Sequence, residues 1–300
     1  MCNIIDTYTI NEPDELVINL LSMSTDLLCS GDSDGDIDID VTGGTPSYTY
    51  FWTASNGGII PSGQETSQDL TGLVAGTYDV LVTDDNLCTE TDTYIVNEPS
   101  DLTVDLDPSS TTELDCFQDD DGIININVGG GTVIYTYLWT ASNNGIIPSG
   151  QENNEDLTGL VAGTYDVVVT DDNGCQETLS HEITEPTGMI IALDPGSFTD
   201  LLCFEDSDGT LDVTVSGGTP NITTGYNYVW TASNDGVIPS GQENNEDLTN
   251  LIAGDYTVTV TDESGCNITD TYTINEPDQI DITLLGGGNS NLECFGNSNG

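Results

Sequence analysis

The chain has 300 residues, 53 of them acidic, with no lysine or arginine, one histidine and a formal net charge of −53. Nothing in it can neutralise phosphates, which excludes nucleic-acid binding and attraction to anionic membrane surfaces. Self-repulsion at this charge opposes compaction, so the acids are either solvated or gathered around cations.

The opening MCNIIDTYTINEPDE matches GCNITDTYTINEPDQ from Gly265, and the closing NLECFGNSNG matches the start of a repeat. Cys29, Cys116, Cys203 and Cys294 recur at intervals of 87, 87 and 91 residues. The expected organisation is therefore the end of a truncated repeat (1–13), three full repeats (14–99, 100–186 and 187–277) and the start of another (278–300). Met1 is followed by polar and acidic residues rather than a leader, and no apolar run reaches the roughly 20 residues that span a bilayer.

Each repeat opens with an edge strand, such as Leu102 to Asp107, followed by a long polar connection carrying a cysteine. Period-two patterning comes next, with Ile37, Ile39 and Val41 against Asp38 and Asp40. The later copies are Ile124/Ile126/Val128 and Leu211/Val213/Val215. A glycine turn (Gly43, Gly129 to Gly131, Gly217) leads into an aromatic strand ending at Trp52, Trp139 or Trp230. Tyr135, Tyr137 and Trp139 share one face of that strand, and a turn-rich segment follows.

The stretch Leu157 to Cys175, LTGLVAGTYDVVVTDDNGC, recurs at Leu70 to Cys88 and Leu248 to Cys266. Its tyrosine (Tyr78, Tyr165, Tyr256) opens an alternating strand just after an Ala-Gly turn, as in the tyrosine corner of an immunoglobulin-like sandwich. A last strand runs to Glu98-Pro99, Glu185-Pro186 or Glu276-Pro277. Nothing shows helical period. The predicted fold is all-β: tandem immunoglobulin-like β-sandwich repeats in a head-to-tail rod.

Eight cysteines without CxxC pairs suit disulfides in an oxidising, extracellular setting. Bonds within a repeat (Cys29–Cys88, Cys116–Cys175, Cys203–Cys266) are the simple pairing. They would link loops at opposite ends of a sandwich, several strand residues apart, whereas a disulfide needs Cα atoms within roughly 7 Å. A staggered pattern, Cys29–Cys175 and Cys116–Cys266, joins facing loops of neighbouring repeats and leaves Cys88 and Cys203 for repeats outside this stretch. A third register, Cys88–Cys116, stays open, as does swapping of the first strand, which would allow the bonds within a repeat.

The same facing loops crowd carboxylates. Asp32, Asp34, Asp36 and Glu98 are expected near Asp171 and Asp172, and Asp119, Asp120, Asp121 and Glu185 near Asp262 and Glu263. Asp206, Asp208 and Glu276 form the third set. These aspartates resemble half of an oxygen-ligand loop but lack the glutamate of an EF-hand. Calcium stiffening each joint is the expectation, against solvated acids with diffuse counter-ions. His181 is alone, is expected to face solvent on the last strand, and is paired with no repeated nucleophile. No enzyme is expected.

These residues resemble the SprB repeat family of Bacteroidota cell-surface proteins. The first repeat carries CSGDSDG, GGTPSYTYFW, LVAGTYDVLVTDDNLC and IVNEP, and the third carries CFEDSDG, GGTPNITTGYNYVW, LIAGDYTVTVTDESGC and TINEP. The resemblance implies a secreted adhesin on the bacterial outer surface, of the kind exported by the type IX system and in some cases moved along the cell during gliding. Its partners would be neighbouring repeats and an unnamed surface or glycan target. Two rival readings are a glycan-binding module using an exposed Tyr/Trp strand and a self-assembling fibre or surface layer bridged by divalent ions.

Overall fold

A computed structural model describes residues 4, 6–24, 26–197 and 200–282. The fragment expected at 278–300 and the matching Met1 to Asn3 fall largely outside them. The described residues contain twenty strands and no helix. The chain divides into two compact units, Met1–Glu113 with Asp120–Thr184, and Leu114–Asp119 with Glu185–Gly300. The second unit takes in the loop of Cys116, because that cysteine is bonded to Cys266.

In the first repeat, β1 (Val17–Met23), β2 (Gly35–Thr42) and β4 (Leu70–Leu73) form one antiparallel sheet in the order β1-β2-β4. The strands β3 (Thr49–Ser55), β5 (Gly76–Thr83) and β6 (Thr89–Val96) form the other, in the order β3-β5-β6. This is immunoglobulin-like connectivity without the fourth strand of the first sheet. After β1 the chain changes sheets. Asp26 bridges Asn97 in parallel, and Leu27 N–H donates to Asn97 O at 2.8 Å. That crossing delivers Cys29 to the end of the sandwich where β6 leaves for the next repeat.

The second repeat follows the same plan. Its strand β7 (Thr103–Leu106) pairs with β9 (Ile126–Gly129), and β8 (Gly122–Ile124) pairs with β11 (Leu157–Leu160). The strand that is continuous in the first repeat is thus interrupted at Asn125. The second sheet has β10 (Thr136–Ser142), β12 (Gly163–Thr170) and β13 (Gln176–Ile183) in the order β10-β12-β13. In the third repeat β14 (Ile190–Leu193) pairs β16 (Val213–Ser216), and β15 (Gly209–Leu211) pairs β18 (Leu248–Leu251). The partners β17 (Asn227–Ser233), β19 (Gly254–Thr261) and β20 (Asn267–Ile274) complete it.

Alternation sets the cores. Ile37, Ile39, Trp52, Tyr78, Val80 and Val82 are buried together in the first repeat, and Leu211, Val213, Trp230, Tyr256, Val258 and Val260 in the third. The tyrosine corner is present three times. Tyr78, Tyr165 and Tyr256 donate from their hydroxyls to the carbonyls of Val74, Val161 and Ile252 at 2.8, 2.8 and 2.9 Å. The glycine two residues before each tyrosine lets two backbones touch. A Cβ on Gly76 would lie 2.1 Å from Gly58 N, and one on Gly163 2.2 Å from Gly145 Cα.

Candidate functional site

The chemistry-bearing residues gather at the two ends of each repeat, in the loop after the first strand and the loop before the last. The first loop turns through Gly31, Gln118 or Glu205, whose φ values of 76°, 63° and 59° lie in the left-handed region. The N–H exposed by that turn donates to the glutamate of the Glu-Pro step. Gly31 meets Glu98 Oε2 at 2.7 Å, Gln118 meets Glu185 Oε2 at 2.6 Å, and Glu205 meets Glu276 Oε2 at 2.8 Å. Linker and loop are therefore latched in all three repeats.

Two residues further on, the linker is stitched to the repeat it enters. Gly44 N–H donates to Asp14 O, Gly131 to Ser100 O and Gly218 to Thr187 O, at 2.7, 2.9 and 2.6 Å. The preceding glycines allow this approach, since a Cβ on Gly130 would sit 1.8 Å from Asp101 O. A hydrogen bond thus lies on either side of the Glu-Pro step.

The second loop is closed by a buried aspartate. Asp84, Asp171 and Asp262 are only 3, 5 and 3 % exposed. Asp171 Oδ1 accepts Asn173 N–H at 3.0 Å and Cys175 N–H at 2.9 Å, while Oδ2 accepts Thr132 N–H at 2.8 Å. Asp84 holds Asn86, Cys88 and Thr45 in the same way, and Asp262 holds Cys266 and Thr219. The glycine pair makes room, for a Cβ on Gly131 would be 2.7 Å from Asp171 Oδ2. The Gly-Gly-Thr and Val-Thr-Asp motifs are two halves of one clamp that fixes the cysteine turn.

Within the first compact unit the two kinds of loop meet. Cys29 is bonded to Cys175 with Cα atoms 5.7 Å apart, and Asn173 Nδ2 donates to Leu28 O at 2.9 Å. Within the second, Cys116 is bonded to Cys266 with Cα atoms 5.6 Å apart. The pairing is the staggered one, running from each repeat to its successor. Cys88 and Cys203 are exposed thiols.

The expected calcium ligands are spread out. Glu98, Glu185 and Glu276 serve the loop latches, Asp171 and Asp262 serve the clamps, and Asp32 Oδ2 accepts Cys29 N–H at 3.1 Å. Asp36 is bonded to Ser24, and Glu263 Oε1 accepts from Asn221 at 3.0 Å. Asp34, Asp120, Asp121, Asp172 and Asp208 are exposed, with Asp119 and Asp206 half-buried. Among the described residues no three His, Cys, Asp or Glu side chains converge as metal ligands. The residues present do not by themselves form a calcium cage. Sequence reasoning named Asp171 and Asp262 but missed their role and missed Asp84. The available signal was an aspartate four residues before each second cysteine, paired with a double glycine about 40 residues earlier.

The N–H group of Thr45, with those of Cys88 and Asn86, holds the Asp84 carboxyl below the usual carboxylate range. Burial pushes Asp171 up, but the N–H groups around it outweigh burial and leave it lowered too. Burial and the neighbouring charge of Asp69 raise Asp38, and the charge of Asp247 raises Asp212. A lowered folded-state pKa stabilises above the unfolded value, about 3.9, and that gain is lost as pH falls through the folded pKa. A raised one penalises the fold at neutral pH and is relieved on acidification. Melting temperature is therefore expected to rise as pH falls from 7 toward about pH 4 and to fall again below about pH 3, read by circular dichroism. A steady decline from pH 7 downward would contradict this assignment of charges.

One further position corrects the sequence reading. His181 does not face solvent. It is half-buried, and its Nε2 lies 2.7 Å from Thr111 O. Register places it opposite Tyr165, where the other repeats put Tyr94 opposite Tyr78 and Tyr272 opposite Tyr256. Those tyrosines pack on Trp52 and Trp230 at ring distances of 6.0 and 6.4 Å. The three tryptophans are core residues, and each indole N–H donates to a backbone carbonyl at 2.9 Å (Ser67, Asn154, Asn245). They offer no exposed stacking platform for a sugar.

The SprB repeat family matches residues 22–57, 109–144 and 196–235, the segment from the end of the first strand or just beyond it, through the cysteine loop, to the aromatic strand in each copy. Three stretches of the chain match the SprB repeat. Among solved structures it is similar to three N-terminal domains of the outer capsid protein Hoc of bacteriophage RB49, at 16 % identity and a TM-score of 0.37. That similarity covers 89 % of this chain and 100 % of the three-domain Hoc fragment. It is also similar to the I67–I69 fragment of the titin I-band, at 15 % identity and a TM-score of 0.38, covering 90 % and 100 %. Domains 3–5 of Drosophila OTK give 10 % identity and a TM-score of 0.29, covering 87 % and 97 %. No curated protein matches the chain. The matched stretches lie in tandem immunoglobulin-like sandwiches.

Proposed function

We propose that this chain is a load-bearing segment of an adhesin on the outer surface of a bacterium, whose task is reach and display rather than catalysis. The observation that carries the reading is the covalent bond from the cysteine loop of one repeat to the clamped turn of the next. Such bonds persist in oxidising compartments outside the cytoplasm. A surface without a single lysine or arginine also offers no cleavage site to trypsin-like proteases.

Antibodies raised against the chain are expected to label intact, unpermeabilised cells of the source organism. Label that appears only after permeabilisation would overturn the surface location. Travel of the label along the cell body would assign the adhesin to gliding, and a fixed label to static attachment.

Calcium at the joints is a separate proposal, supported by the run Asp119 to Asp121 and its counterparts in the sequence. It requires exposed carboxylates to reorient around an ion. A melting temperature that rises in millimolar calcium, but not in equal magnesium, supports it. An unchanged one removes it.

A further inference from the structure

The Cys116–Cys266 bond forms one wall of a cavity of about 650 Å³ that lies wholly within the second compact unit. Phe117, Pro186, Met189, Ile190 and Ile268 give it an apolar lining, and Asp119 and Asp262 contribute carboxylates. Pockets of this volume, with apolar walls and few polar groups, suit a small molecule. Phe117 and Ile190 remain 48 and 61 % exposed, so this apolar surface is open to solvent rather than packed into the core.

The first compact unit holds the equivalent cavity and shows what a joint needs on its own. There a cavity of about 530 Å³ lies beside the Cys29–Cys175 bond, but its lining is polar. Ser30 stands in place of Phe117, Thr103 in place of Ile190 and Glu177 in place of Ile268. Ser30 is hydrogen-bonded to Asp101. Phe117 instead lies against Gly188, where a Cβ would be 2.8 Å from the ring. A joint forms with either lining, so pairing the cysteines does not require the apolar one.

The two carboxylates of the apolar cavity differ in availability. Asp262 accepts Cys266 N–H on one oxygen and Thr219 N–H on the other. Asp119 is half-buried, and among the described residues its carboxylate accepts no hydrogen bond. Asp32, at the same place in the first loop, accepts Cys29 N–H at 3.1 Å. No lysine or arginine exists to answer the Asp119 charge. A free carboxylate beside open apolar side chains complements a ligand that is cationic at one end and apolar at the other. The Phe117 ring and the Met189 thioether favour an aromatic apolar end.

We propose that this cavity binds a small arylalkyl ammonium, with its ammonium group on Asp119 and its ring against Phe117, Met189 and Ile268. This goes beyond the reading of the chain as a surface adhesin and does not depend on it, because the cavity belongs to one folded joint wherever the chain is displayed.

The test titrates phenethylammonium into the 300-residue chain with its disulfides intact and its methionine methyls isotope-labelled. Phenethyl alcohol controls for the charge and ethylammonium for the ring. The Met189 methyl resonance, assigned by its loss in Met189→Leu, is expected to shift and saturate while that of Met23 stays in place. Asp119→Asn should weaken the probe about fivefold, and Phe117→Ser about tenfold. Serine at that position is what the first joint already carries, and an unchanged melting temperature checks that the variant folds. Phenethyl alcohol should bind about fivefold more weakly than the probe and be indifferent to Asp119→Asn. Ethylammonium as tight as phenethylammonium would mean diffuse attraction to an acidic chain. Phenethyl alcohol as tight would mean an apolar cleft without charge selection. Either result, a still Met189 resonance, or an equal shift at Met23 would overturn the proposal.

Discussion

Replacing Cys29 and Cys175 together by serine is expected to cost about 5 kcal/mol of stability, the largest effect of any change at the joints. The bond closes a loop of 146 residues. In the chain-entropy account, a cross-link over about 150 residues withdraws that much conformational freedom from the unfolded state. The Cys116–Cys266 bond spans 150 residues and has the same expected worth. Denaturant unfolding of the double variant, compared with the parent in the presence and absence of reductant, measures it. Reductant should lower the midpoint of the parent strongly and that of the double variant less, because one cross-link remains. Equal midpoints for parent and variant would mean that the bond decorates a joint already held by its hydrogen bonds.

The second large effect is expected inside a sandwich. Trp139 is 3 % exposed, and its indole N–H donates to Asn154 O at 2.9 Å. Trp139→Ala leaves a large cavity and an unpaired carbonyl, a loss of about 3–5 kcal/mol. In a repeat of this size that lowers the melting point by about 15 °C or more. Trp139→Phe keeps most of the volume, gives up about 1 kcal/mol with the hydrogen bond, and should leave the fold intact. Glycan-array binding by the Phe variant should equal that of the parent. A variant that folds normally but loses sugar binding would return this tryptophan to the role of a stacking platform.

Much of this architecture is legible in the residues. Period-two runs such as Ile37/Ile39/Val41 declare which face is buried, and a tyrosine behind an Ala-Gly turn declares a corner. The cysteine stagger follows from knowing which loops lie at which end of a sandwich. The roles of the acids are less legible. Asp171 in a loop, in a chain without lysine or arginine, reads as a metal ligand. Only the folded backbone shows the amides of Thr132, Asn173 and Cys175 converging on it. Glu98 is obscure for the same reason, since its acceptor role depends on a left-handed turn 67 residues away. The half-buried place of His181 is not legible either. Strand register equates it with Tyr94 and Tyr272, an equivalence that neither hydropathy nor charge signals.

The two disulfides overlap along the sequence, because Cys116 lies between Cys29 and Cys175, and Cys175 lies between Cys116 and Cys266. Stretched from Cys29 to Cys266, an unfolded chain of about 240 residues would have a contour of about 800 Å. With both bonds present, the shortest covalent route crosses to Cys175, doubles back about 60 residues to Cys116, and crosses again. The tether then runs taut at about 200 Å. Even with every sandwich pulled open, three quarters of the slack stays locked away, and a cell held by such a strand would keep its distance from its anchor.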